Sequence, residues 1–151
     1  MRAAFLILLW LGASLPARAE IALSPLRQVI TEDAPLAVYR VSHPSARIVE
    51  GRASWIDLVA TADGYAAASA EERARLSAAP YLTVWPAFFK LEPGAAVAVT
   101  VALRKGAKPP AGERRSHLLI ETAAARTPLR RAGGLELDIG LGVSTPVVLR
   151  M

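Results

Sequence analysis

The chain has 151 residues, a formal net charge of +5 and no cysteine, with 53% of its residues hydrophobic. That size suits one domain stabilised by its own core without disulfides. The diffuse basic excess does not point to nucleic acid, and the lack of cysteine excludes thiolate metal sites, thiol catalysis and redox shuttling.

Residues 1–19 read as a secretory signal peptide. Arg2 supplies the positive start, residues 5–11 a short apolar run, and Ala17, Arg18 and Ala19 a small-residue cleavage site before Glu20. The apolar run is too short to span a bilayer, which takes about 20 residues. The reading is therefore export to the periplasm, with no membrane insertion after cleavage and a mature domain over residues 20–151. Without Arg2 and Arg18, 16 basic residues face 13 acidic ones, a net charge of +3. Arg114 with Arg115, and Arg126 with Arg130 and Arg131, form two small clusters that read as solvated loop charge.

Residues 21–30 are apolar with polar interruptions, and Pro25 makes them an edge strand or a strand with a break. Glu32, Asp33 and Pro35 mark a turn, after which Leu36, Val38 and Val41 sketch a second strand ending at His43 and Pro44. Residues 46–59 give a third, with Ile48 and Trp55 as its core anchors, and Asp63-Gly64 is a turn. Helix is expected only over residues 69–79, where Ser69 followed by Glu72 forms a capping box. Strand character returns over 81–91. Pro93 and Gly94 then occupy the central positions of a type II turn, leading to alternating Val97, Val99, Val101 and Leu103 as a hairpin or a tight corner. Pro109, Pro110 and Gly112 mark a loop, 117–121 a short buried strand, and 123–134 an Arg-rich connection.

The last strand has the clearest pattern. Leu135, Leu137, Ile139, Leu141 and Val143 alternate with Glu136, Asp138, Gly140, Gly142 and Ser144, so five apolar groups share one face. A one-faced apolar strand near a chain end is either covered in its own fold or offered to a partner. About seven short strands, frequent turn chemistry and one short helix predict an all-β fold, an immunoglobulin-like antiparallel sandwich, with a closed barrel as the alternative.

Convergent reactive groups are scarce. His43 and His117 have no second ligand at metal-binding spacing, adjacency rules out a triad for Ser116 and His117, and no glycine run has phosphate-binding spacing. The expectation is a protein that is not an enzyme and needs no cofactor or metal.

The run Leu82-Thr83-Val84-Trp85-Pro86-Ala87-Phe88-Phe89-Lys90-Leu91-Glu92-Pro93-Gly94, the stretch Gly112-Glu113-Arg114-Arg115-Ser116-His117-Leu118, and Ser24-Pro25-Leu26-Arg27 in the first strand carry a resemblance. Together with the terminal alternation they are similar to the amino-terminal domain of the periplasmic pilus-assembly chaperones that work with an outer-membrane usher. The resemblance covers nearly all of the mature chain. It implies that pilus subunits, immunoglobulin-like domains lacking their last strand, are the partners, and that the chaperone lends its own last strand to complete them. On that match Leu137, Ile139 and Leu141 are the donor residues, with Leu135 and Val143 as extensions or as core of this domain itself. Arg27 matches the arginine that holds the subunit's terminal carboxylate.

Two departures accompany it. Pro146 stands where the family's second anchoring cation, a lysine, is expected, as in the variant branch of these chaperones, and Arg150 is the nearest cation in that strand. The family's second domain has no counterpart before Met151. The alternative is an exported immunoglobulin-like structural or adhesive module completed by its own final strand.

Overall fold

The computed structural model describes residues 21–44, 46–124 and 141–151; for Ala124 and Leu141 only the backbone is described. The leader at 1–19, Arg126, Arg130 and Arg131, and Leu135, Leu137 and Ile139 lie outside the described residues. Two sheets face each other. The first runs in the order β1 (Ala22–Ser24), β3 (Leu36–Ser42), β9 (Ala96–Leu103) and β7 (Leu82–Trp85), all antiparallel. The second runs β2 (Gln28–Ile30), β11 (Leu141–Arg150), β10 (Glu113–Ala124), β4 (Val49–Ile56) and β8 (Phe88–Leu91). Every pair in it is antiparallel except β2 with β11, which is parallel. A hairpin of β5 (Leu58–Thr61) and β6 (Gly64–Ala67) and the helix α1 (Ala70–Leu76) connect β4 to β7. This is the expected all-β immunoglobulin-like sandwich, and no strand pairing joins its two main sheets into a barrel among the described residues.

Proline punctuates the sandwich on both sides. The chain leaves the first sheet after Ser24, passes Pro25 and re-enters pairing in the second sheet as β2. On the far side it does the same at Pro86, between β7 and β8. Proline has no N–H for a ladder, so each strand breaks there and its halves take edges of opposite sheets. The stretch 21–30 is thus the strand with a break at Pro25, and the expected strand at 81–91 is a pair of short strands. With the β5–β6 hairpin around Asp63-Gly64, they raise the described strands to eleven. β10, at twelve residues, extends well beyond the expected 117–121.

The core lies between the sheets, built on Tyr39, Val41, Val99, Val101, Val49, Leu118, Ile120, Val147 and Leu149. The pattern leaves the facing of β3 open, and one expectation, Ile48 as a core anchor, is corrected. In β3 the buried phase is Ala37, Tyr39 and Val41, so Leu36 and Val38, 55% and 44% exposed, point outward. Ile48 is no core anchor: it precedes β4 and is 36% exposed, and Val49 takes the core position instead. A period of two lets only one set face inward, and in β3 the aromatic ring of Tyr39 takes that side. Trp55 does pack, half-buried, against the core.

Local chemistry appears as read. Ser69 Oγ accepts from the Glu72 N–H (3.2 Å) and the Ser69 N–H donates to the Glu72 carboxylate (2.8 Å), closing the capping box. The Ala95 N–H donates to the Glu92 carbonyl (3.0 Å) with Gly94 at φ +73°, a type II turn that needs glycine. The turn is a corner between sheets and not a hairpin, because β8 pairs with β4 while β9 pairs with β3 and β7. No helix among the described residues is long and apolar enough to cross a membrane.

Gly51 in β4 has a different reason to be glycine. The Phe89 ring, cross-strand in β8, occupies the space of a side chain there: a Cβ on Gly51 would lie 2.1 Å from Phe89 Cε2. Gly51→Ala is expected to push Phe89 out of place and lower stability by about 1–3 kcal/mol, the usual cost of overpacking. The check is the denaturant midpoint of the variant. Restoration in Gly51→Ala with Phe89→Leu would show that the ring is the cause.

Candidate functional site

β11 is paired along its whole length with β10, from Leu141 opposite Thr122 to Arg150 opposite Glu113. Thr145, Val147 and Leu149 are buried toward the core, and Val143 is half-buried against the same cluster. The other side of the strand differs between its halves. β2 covers it only over Val147–Leu149. Just above that, the Thr145 hydroxyl donates to the Leu26 carbonyl. Upstream of Thr145 no strand pairs with that edge among the described residues. The N–H and C=O groups of such an edge have the chemistry that accepts an added strand.

At the point where β2 begins, charge accumulates. Arg27 is exposed and immediately precedes β2, level with Pro146 when the parallel register is carried one step back. Across β11 stands β10, with Arg115 opposite Val148 and Glu113 opposite Arg150. Arg150 donates to the Glu113 carboxylate at 2.8 Å, and this bond, aided by the charges of Arg150, Arg27 and Arg115, holds the Glu113 carboxyl below its ordinary range. Three guanidinium groups therefore surround one carboxylate. Arg150 is committed to it, whereas Arg27 and Arg115 have no hydrogen bond or ion pair to any described residue. Val148 is only 1% exposed although it is outside the core cluster, so it is covered from the outer face of the sheet, where its register neighbours are Val29 and Arg115.

Pro146, in place of the expected lysine, lies opposite His117. His117 is 5% exposed, its Nδ1 is buried without a partner among the described residues, and Tyr65 of the β5–β6 hairpin lies edge-on to it at 5.9 Å. Burial first, then the positive charge of Arg115, holds the imidazole below its ordinary pKa, with Asp57 opposing. An unfolded chain takes up this proton near its ordinary value, about 6.5, while the folded chain does so only at lower pH. Stability is thus full above that value and falls as pH drops from it through the folded value. The melting temperature is expected to fall between about pH 7.5 and about pH 5, and His117→Phe to lose part of that fall. An unchanged slope in the variant would assign the effect to other groups.

Ser116 and His117 are neighbours in a strand and so face opposite ways. Ser116 points to a buried polar hub that sequence reasoning missed. Its hydroxyl accepts from the N–H groups of Ala78 (3.0 Å) and Ala79 (2.9 Å) and donates to Asp57, which also accepts from Ser77 (3.1 Å). The hub ties the end of α1 to β10. Its members are 20 and 39 residues apart along the chain, and no short motif would have revealed it.

No protein-family pattern and no curated protein matches this sequence. Solved structures do match in shape. The YadV chaperone superposes over 87% of this chain and 52% of its own, with a TM-score of 0.58 at 11% identity. The CsuC chaperone complexed with the CsuE tip adhesion subunit, from archaic Csu pili of Acinetobacter baumannii, covers 87% and 57%, at 0.59 and 9%. The Salmonella enterica SafB chaperone with the SafA pilin covers 86% and 53%, at 0.58 and 18%. This chain therefore has the immunoglobulin-like fold of the periplasmic pilus chaperones. It spans a little over half the length of these chaperone structures, 52–57%.

Proposed function

We propose that this chain is an exported, periplasmic chaperone-like domain, its signal peptide at 1–19 and its folded part at 20–151, that binds immunoglobulin-like pilus subunits lacking a strand. In this reading it completes them by strand addition at β11 and its upstream extension, for hand-over to an outer-membrane usher. It acts by binding and not by catalysis. Leu137, Ile139 and Leu141 enter the subunit's groove, Leu135 and Val143 extend the contact, and Arg27 takes the subunit's terminal carboxylate. The carrying observation is the edge of β11 upstream of Thr145, which no described strand pairs and which ends the apolar alternation of 135–143.

Charge supports a direction. A strand added along that edge runs into β2 at Arg27, so its pairing stops there. A chain that ends at this point brings a carboxylate to Arg27 when parallel to β11 and an ammonium group when antiparallel. A guanidinium fork binds the first and repels the second. A second reading, a module completed by its own last strand, rests on Val143, which packs against the domain's own core.

The test is capture of a pilus subunit in the periplasm. The wild-type chain is expected to co-purify with a strand-deficient subunit and Ile139→Glu to lose it. Equal capture by both would leave the self-completed module as the better reading.

A further inference from the structure

β10 begins at Glu113, but β4 joins it only from His117, opposite Ile56. Over 113–116 its paired neighbour is β11 alone. Gly112 and Met151 exchange both backbone bonds with each other, at 2.9 and 3.1 Å. Backbone groups along an antiparallel strand turn to alternate edges, so those of Glu113 and Arg115 turn away from β11. No described strand pairs them on that side.

There, between β10, β5 and α1, lies a cavity of about 230 Å³. Leu58, Val59, Ala68 and Leu76 give it an apolar wall. Asp57 and Ser77, which hydrogen bonds to Ser116 hold in place, line it as well. Sites for drug-sized ligands start at about 300 Å³, so this one suits a smaller body.

Its charges are unevenly committed. All three carboxylates of the wall are engaged: Asp57 accepts from Ser77 and Ser116, Glu72 from the Ser69 N–H, and Glu113 from Arg150. Of the cations, Arg114 donates to the Ala74 carbonyl and lies 5.5 Å from the centre of the Tyr81 ring. Arg73 of α1 and Arg115 of β10 line the same space and have no hydrogen bond or ion pair to any described residue. The charge left uncommitted is therefore positive, and it stands beside apolar surface.

We propose that this cavity binds a small organic monocarboxylate with a compact aromatic or branched aliphatic body. Arg73 and Arg115 take the carboxylate, and the apolar wall takes the body. A dianion such as phosphate is disfavoured, because its second charge also meets the three carboxylates of the wall. The site lies on the β4 side of β10, away from the free edge of β11, and does not depend on strand addition.

The probe is sodium benzoate, titrated into the whole protein at neutral pH and followed by the amide shifts of residues 57–59, 73–77 and 113–115. It is expected to saturate with a dissociation constant of about 1 mM or tighter. Benzamide, of the same shape but neutral, and acetate, charged but without the body, each bind about tenfold more weakly. Arg73→Gln and Arg115→Gln each weaken benzoate about tenfold, whereas Arg115→Lys keeps part of the affinity. Neither guanidinium holds a described residue in place, so the variants are expected to fold. Arg52→Gln, outside the cavity wall, leaves binding alone. Equal affinity for benzoate and benzamide, full affinity in both Gln variants, or displacement of benzoate by an equal concentration of inorganic phosphate would overturn the inference. Ile139→Glu, which loses the subunit on the proposed function, is expected to bind benzoate as the wild type does, so either reading can fail without the other.

Discussion

Ser116→Ala is expected to lower the stability of the domain by about 2–4 kcal/mol, a large share of the roughly 5–15 kcal/mol that holds a domain of this size together. The hydroxyl is wholly buried and accepts from two backbone N–H groups, of Ala78 and Ala79, while donating to Asp57. Alanine cannot accept, so both donors lose their partner at the point where α1 gives way to the following turn. An unsatisfied buried donor costs about 1–3 kcal/mol. Ser77→Ala is the control. Its hydroxyl donates to Asp57, which keeps Ser116, so its loss is expected to cost no more than about 1 kcal/mol. Urea midpoints with unchanged slopes would measure both. If Ser116→Ala matched Ser77→Ala, the hub would not be what anchors α1 to β10.

What could be read in advance depended on how local its cause is. The capping box of Ser69 and Glu72 and the turn at Pro93-Gly94 are decided within four residues, and both formed as expected. Alternation identified β3 and β9, but it could not say which face of β3 was inner. Leu36 and Val38 offer one apolar set and Tyr39 and Val41 another, and only the opposing sheet chooses between them. Ile48 and Val49 posed the same problem one residue apart, and the register of β4 against β8 and β10 chose Val49. Pro86 was visible as a residue but not as a change of sheet, because the partners of β7 and β8 are far away in the chain. At the candidate site, Arg27 is singled out by the resemblance alone. Nothing in the sequence marks Arg115, whose place across β11 from Arg27 exists only once β10, β11 and β2 lie side by side. The second reason is charge: a cluster of arginines in a sequence looks like solvated surface until the carboxylates around it are seen to be taken.

Two substitutions in one apolar series are expected to fail in opposite ways. Ile139→Glu places a charge where an apolar side chain should enter the subunit. It loses about 1.5–3 kcal/mol of burial and adds the cost of dehydrating a carboxylate without a partner. Capture of a subunit should weaken by about a thousandfold or more, an energy of about 4 kcal/mol, while the melting temperature of the free protein hardly moves. Val143→Ala acts on a side chain that packs half-buried against the domain's own core. It should lower stability by about 1 kcal/mol and weaken capture by no more than about fivefold. The pair separates the two uses of one alternating strand. β11 is held in its own sandwich by Val147 and Leu149, flanked by β2 at that level, and Val143 packs on the same core further up. Beyond it the same period continues into residues that, on the proposed function, serve the partner. Should Ile139→Glu destabilise the free domain as much as Val143→Ala does, both residues would belong to the domain's own interior, and the strand would have nothing left to donate.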